Sequence, residues 1–162
     1  MKIKGIDLKA KPYDELTVHV LGQPVTFRAG VVSNHEDFKR MHPEPKAPIR
    51  TDRQGNKVPV LNDPSFVKKL EARNEAQAIY TIKKSLEEHT PDLSWEFLDD
   101  AELDTLTFDN LDKEFSEMGM PLTTAARVVN LATSANGLSE KMVSLARDTF
   151  LPEAEEAEAL PE

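Results

Sequence analysis

The segment from Asp63 to Glu88 limits the fold of this chain more than any other, because it predicts one uninterrupted helix of about seven turns. Asp63 is a good N-cap, and Pro64 suits the first helical position, where its missing N–H is no loss. No further proline occurs until Pro91, and good helix formers fill most of the segment. The other elements must therefore pack along this helix.

This predicted helix carries two apolar groups that do not share a face. Phe66, Val67 and Leu70 lie on one side, and a second group lies roughly 120–150° further round. The second group is Ala78, Ile79, Ile82 and Leu86. Either the helix packs against two parts of its own domain, or one end serves a partner. We favour the first interpretation, with the first group against the N-terminal part and the second against the C-terminal helices.

The N-terminal part, residues 1–41, is predicted to be β-rich. Apolar and polar residues alternate over 16–20 and 25–29, on either side of turn residues, which indicates a β-hairpin. A two-stranded hairpin is marginal alone, so it needs a helix or another strand, for which Ile3, Ile6 and Leu8 are suitable. Ser33 and Glu36 have capping-box spacing and predict a short helix that ends near Met41.

Residues 42–62 form a proline-rich loop that is unusually long for a compact domain. Prolines 43, 45 and 48 favour extended chain. Ile49 and Val58 are placed to flank a loose hairpin around the turn residues 52–56, with Pro59 confining it to an edge.

Residues 63–151 are predicted to be mostly helical. After the long helix comes an acidic link, and then an apolar stripe from Phe108 to Met118 that predicts a helix ending at Gly119. A further helix should run from Pro121 to Asn136, and a last one should start at Ser139. The glutamate-rich residues 152–162 predict a disordered acidic tail. The whole is one compact α+β domain, with an N-terminal antiparallel hairpin, one long helix and about three shorter C-terminal helices.

The net charge of −9 is distributed unevenly along the chain. Residues 87–117 contain 12 acidic residues against Lys113 alone, whereas residues 1–86 carry an excess of six basic residues. So acidic a chain is a poor binder of nucleic acid, because phosphate must be neutralised by cations. The acidic stretch would instead attract a basic or amphipathic partner helix.

No motif in the sequence predicts an enzyme, a cofactor or a metal site. Cysteine is absent, which excludes disulfides and thiolate chemistry, and the glycines do not form a phosphate-binding loop. The densest acidic cluster, Asp99, Asp100, Glu102 and Asp104, lacks the central glycine of a calcium loop and is interpreted as solvated. No segment is apolar enough to span a membrane and no secretory signal is evident, so we expect a soluble protein.

Binding is the class of function that remains. Trp95, Phe97 and Leu98 form an aromatic and apolar group inside the acidic stretch, and Trp95 is the only tryptophan. Two interpretations stay open. The three side chains anchor the link onto the domain, or they contact a partner, since tryptophan is favoured at interface centres.

The order of these parts resembles a known family. It is carried by the proline-rich FKRMHPEPKAP, the helix DPSFVKKLEARNEAQAIYTIKKSL, the tryptophan-containing acidic link and the ending PLTTAARVVNLATSANGLSEKMVSLARDTFL. Over residues 25–151 the chain resembles the tail assembly chaperones of long-tailed bacteriophages.

The resemblance implies a non-enzymatic protein that coats the tape measure protein and keeps it soluble until major tail protein subunits replace it. It implies a location in the host cell cytoplasm and absence from the mature virion. Self-association is compatible with this role. The alternative is a structural tail protein, such as a tail completion or connector protein. A third hypothesis is a small enzyme or a metal-dependent nuclease that uses the acidic residues of 99–104.

Overall fold

The computed structural model describes residues 12–138 and has the expected α+β fold. An N-terminal hairpin and a small second hairpin are combined with four α-helices in these residues. The elements are β1 (Tyr13–Val20), β2 (Gln23–Gly30), α1 (Glu36–Met41), β3 (Ile49–Thr51), β4 (Lys57–Pro59), α2 (Pro64–Glu87), α3 (Phe108–Glu117) and α4 (Leu122–Asn136), with a 3₁₀ turn at Leu103–Thr105. The expected third strand, the helix from Ser139 and the tail 152–162 lie outside the described residues.

Strands β1 and β2 form the predicted antiparallel hairpin, in a register that pairs Tyr13 with Gly30 and Val20 with Gln23. A two-residue turn, Leu21-Gly22, joins them, with positive φ angles of 49° and 78°. The alternation places Val18, Val20, Phe27 and Ala29 in the core. Helices α2 and α4 cover this face and supply the packing that the hairpin needs.

Helix α2 confirms the predicted long helix. The Asp63 carboxylate accepts a hydrogen bond from the Phe66 N–H at 2.9 Å, and the helix continues to Glu87. Its buried residues start at Arg73 and include Ile79, Ile82 and Leu86, which are fully buried. The C-terminal two thirds of α2 is thus the centre of the core.

The packing of the first apolar group of α2 against the N-terminal part stays a prediction. Phe66, Val67 and Leu70 are half-buried and lie outside the core cluster formed by the described residues. The β3–β4 hairpin, which precedes α2 in the sequence, buries none of its own six residues. The start of α2 therefore has no packed layer over it comparable with the β1–β2 face.

Helix α1 is present, but the predicted capping box is not. The helix begins at Glu36 itself, and the Asn34 side chain accepts a hydrogen bond from the Glu36 N–H at 3.0 Å. A short asparagine side chain readily accepts a hydrogen bond from the backbone two residues further on. The Glu36 N–H, which would bond to the Ser33 side chain in a capping box, is therefore bonded to Asn34 instead.

The proline-rich loop begins at a fixed point. The buried Arg73 side chain donates from Nε to the His42 carbonyl at 2.8 Å, and its guanidinium lies over the Phe38 ring. Beyond this anchor the predicted hairpin forms as β3 and β4 around a turn closed by Asp52. We call residues 46–62 the arm.

Helices α3 and α4 confirm the predicted helices, but the apolar residues at the end of the first and the start of the second, Met118 and Leu122, are exposed. Phe108, Leu111 and Phe115 are buried on α3, which ends before Gly119, and α4 ends at Gly137 in the left-handed conformation. The Asn136 side chain ties the end of α4 to the N-terminal hairpin, because it accepts from the Val32 N–H and donates to the Gly30 carbonyl.

Candidate functional site

The acidic link between α2 and α3 is held in place by a cluster of charges. Each carboxylate oxygen of Asp100 lies 2.9 Å from a lysine Nζ, one from Lys83 and the other from Lys84. Glu87 contacts the same two lysines, at 2.9 and 3.2 Å. Lys83 is buried, so this is a partly desolvated network that fixes the link to the end of α2.

The pKa values in this cluster reflect a balance between burial and pairing. Burial raises the pKa of Asp100, but hydrogen bonds and attraction from Lys84 and Lys83 outweigh it, so the net pKa lies below the ordinary value. Glu87 follows the same pattern, with burial opposed by Lys83 and Lys84 and a net lowered pKa. For Lys84, burial lowers the pKa, yet Asp100 and Glu87 raise it above its usual range.

The interpretation of the 99–104 acids as a solvated cluster was therefore wrong for Asp100. Asp99 is also engaged locally, since its carboxylate accepts from the Ala101 N–H and its backbone pairs with the Thr105 hydroxyl. The reason is tertiary: folding brings the end of α2 against the link and so supplies two ammonium groups.

A groove opens between the start of the link and the end of α3, with a volume of about 510 Å³. We call it the acidic groove. Its apolar lining comes from β2, the link and α3, and its polar lining is almost entirely acidic. The lining residues are Phe27, Leu93, Trp95, Phe115 and Met118, together with Asp92, Ser94, Glu96, Glu114 and Glu117.

Glu114 holds the two walls of the acidic groove together. One oxygen of its carboxylate accepts hydrogen bonds from the backbone N–H groups of Glu96 and Phe97, and so ties the link to α3. The neighbouring Lys113 places its ammonium 4.1 Å from the centre of the Phe97 ring. The groove is thus built on a helix and a pinned segment.

The three predicted partner-binding residues end up in different environments. Leu98 is 6% exposed and belongs to the core, so it anchors the link. Phe97 is half-buried beneath Lys113. Trp95 is half-buried, packs against the core and lines the acidic groove, and its indole N–H is buried without an acceptor.

Sequence reasoning placed Trp95 inside an acidic stretch but did not predict which carboxylates converge on it. Glu114 and Glu117 lie beside the apolar stripe of α3, one helical turn apart, and this spacing was the available signal. Their convergence with Glu96 depends on how the link folds back over α3, which no local pattern gives.

The acidic groove combines an apolar lining with carboxylates. Within residues 12–138, no group of three or more His, Asp or Glu side chains is arranged to hold a metal ion. No helix in that range is long and apolar enough to cross a membrane. Comparisons with known protein families, with curated proteins and with solved structures find no match to this chain.

Proposed function

We propose that this chain is a non-enzymatic tail assembly chaperone of a long-tailed bacteriophage. Its task is to bind the tape measure protein and keep it soluble while the tail is built. The proposal starts from the resemblance over residues 25–151, which lies in the order of the predicted elements and in their local sequences. The acidic groove around Trp95 is the one observation in the fold that supports it most.

The acidic groove suits a partner that exposes apolar helix faces. Its apolar lining accepts bulky side chains, and an aromatic residue such as Trp95 contributes large contact area at small entropic cost. The surrounding carboxylates are held on a rigid wall by the Glu114 hydrogen bonds. Such a surface can cover part of a long, aggregation-prone helix.

The assembly role sets the affinity that we expect. Major tail protein subunits must displace the chaperone, so each contact should be modest and the coating should depend on many copies. The protein would act in the host cell cytoplasm and be absent from the finished virion.

The test is co-expression of the full chain with the tape measure protein encoded by the same phage. We expect the tape measure protein to move from the insoluble to the soluble fraction and to co-purify with the chain. A tape measure protein that stays insoluble, with nothing recovered on the chain, would overturn the proposal.

A charge-matched pair of variants locates the activity. Glu96 and Glu117 are exposed lining residues of the acidic groove, so Glu96→Lys with Glu117→Lys should abolish solubilisation. Glu71 and Glu88 are exposed elsewhere, and their double exchange to lysine changes the net charge equally. The control double variant should solubilise the tape measure protein as the unmodified chain does.

A structural tail protein is the second candidate, and the arm is the observation that favours it. Ile49 and Leu61 are 68% and 67% exposed. Exposed apolar side chains of this kind can be buried against a neighbouring subunit. Mass spectrometry of purified virions separates the two candidates. A tail component would be present in stoichiometric amounts, whereas a chaperone would be absent.

A further inference from the structure

We infer that the acidic groove selects a partner helix in which a bulky apolar side chain is flanked by lysine or arginine. This inference rests on the proposed function, since it names the chemistry that the groove would recognise in its partner.

The lining divides into an apolar floor and an acidic rim. Phe27, Leu93 and Phe115 come from three different elements and meet with Trp95. At about 510 Å³ the groove lies within the range of binding clefts and has room for one or two large side chains. Phe27 and Phe115 are themselves buried, so Leu93, Trp95 and Met118 supply the accessible apolar surface, against which we expect an occupant to place an apolar side chain.

The rim determines the charge of the occupant. Asp92, Glu96, Glu114 and Glu117 line the groove, and no lysine, arginine or histidine is among its lining residues. The nearest lysine in sequence, Lys113, is placed over the Phe97 ring. Cationic side chains beside the apolar anchor would meet four carboxylates, whereas acidic side chains would be repelled.

The neighbouring strand edge indicates a helix in preference to an extended segment. Strand β2 pairs with β1 on one side. On the other side, the Thr90 hydroxyl contacts both the N–H and the carbonyl of Arg28, at 2.9 and 3.0 Å. This edge is thus closed beside Phe27, so recognition must come from side chains, as when a helix lies in a groove.

Trp95 makes the inference directly measurable, because it is the only tryptophan and it lines the groove. The experiment titrates the full chain with synthetic tryptophan-free helical peptides and records the emission of Trp95. Two peptides share one leucine and phenylalanine face and differ only in flanking lysines or flanking glutamates. A third keeps the lysines and has its apolar face replaced by glutamine and serine.

We expect saturable binding of the lysine-flanked peptide, at least about tenfold tighter than that of the glutamate-flanked one, with the gap narrowing in high salt. The glutamine–serine peptide should not saturate. Glu96→Lys with Glu117→Lys should remove the preference, because two lysines then balance the remaining Asp92 and Glu114, and the Glu71→Lys with Glu88→Lys control should keep it. Equal binding of both flanked peptides, binding of the glutamine–serine peptide, or no saturable signal would overturn the inference.

These outcomes are separable from the failure of the proposed function. If the lysine-flanked peptide binds and the tape measure protein stays insoluble, the groove chemistry stands and the chaperone role falls. If the tape measure protein is solubilised and the peptides are not discriminated, only the inference about the groove falls.

Discussion

Leu21 occupies a backbone conformation that its side chain disfavours. Its φ of 49° lies in the left-handed region, which costs a residue with a Cβ about 1–2 kcal/mol. The side chain lies against Gly119 yet is 81% exposed, so the contact offsets little of this cost. Asparagine followed by glycine is the preferred pair in such a two-residue hairpin turn.

The first prediction is that Leu21→Asn stabilises the fold by about 0.5–1 kcal/mol. Urea unfolding followed by circular dichroism measures the change. Leu21→Ala is the matched control, because it removes the same contact and keeps the unfavourable backbone. A loss of stability in the asparagine variant would mean that the contact with Gly119 outweighs the backbone cost.

Gly30 shows the opposite constraint, a position with no room for a side chain. A Cβ there would lie 2.1 Å from His89 Nε2, and the His89 ring is held beside Tyr13. The second prediction is that Gly30→Ala destabilises the protein by about 1–3 kcal/mol, as overpacking does. Unfolding free energies should show that His89→Ala in the same chain restores most of the loss, and purely additive effects would contradict this account.

At the scale of elements, the charge cluster joins the acidic link to α2. Asp100 and Glu87 have lowered pKa values in the folded chain, so the unfolded chain binds more protons near pH 4. Their stabilising effect is therefore complete above that pH and is lost as the pH falls through the folded values.

The third prediction follows from the loss of this stabilisation at low pH. Asp100→Asn should lose about 1–2 kcal/mol at pH 7, because Lys83 is buried and keeps only Glu87. The variant should also lose less stability than the unmodified chain as the pH falls from 5 to 3, because it lacks the carboxylate whose pKa is lowered. Urea midpoints at the two pH values measure it, and parallel acid curves for the two proteins would refute the assigned role.

The arm is not packed into the core of the domain. Every residue of β3 and β4 is exposed, and the arm's hydrogen bonds within residues 12–138 are all internal. The fourth prediction is that a glycine–serine linker of equal length in place of residues 49–59 changes the melting temperature by less than about 2 °C. A drop of many degrees would mean that the arm stabilises the domain.

For the molecule as a whole, local sequence patterns were sufficient to predict the helices and strands. They did not predict which residues from distant parts of the chain come into contact. Alternation predicted the β1–β2 hairpin, and helical periodicity with caps predicted α2, α3 and α4. The Asp100 cluster and the acidic groove join residues far apart in sequence, so only tertiary packing reveals them.

The fold presents two distinct surfaces. One is the acidic groove on the rigid wall of the link and α3, which we propose for the tape measure protein. The other is the basic and exposed arm, which contains four lysine and arginine residues against Asp52 alone. The asymmetry of charge along the sequence thus becomes an asymmetry between two parts of the fold.

Hydrogen–deuterium exchange, measured on the chain alone and in its complex with the tape measure protein, tests whether the acidic groove is the binding surface. We expect the complex to protect the backbone of residues 92–98 and 114–118, the two walls of the acidic groove, with the arm unchanged. Protection confined to the arm or to the half-exposed start of α2, with the groove exchanging as in the free chain, would contradict the account.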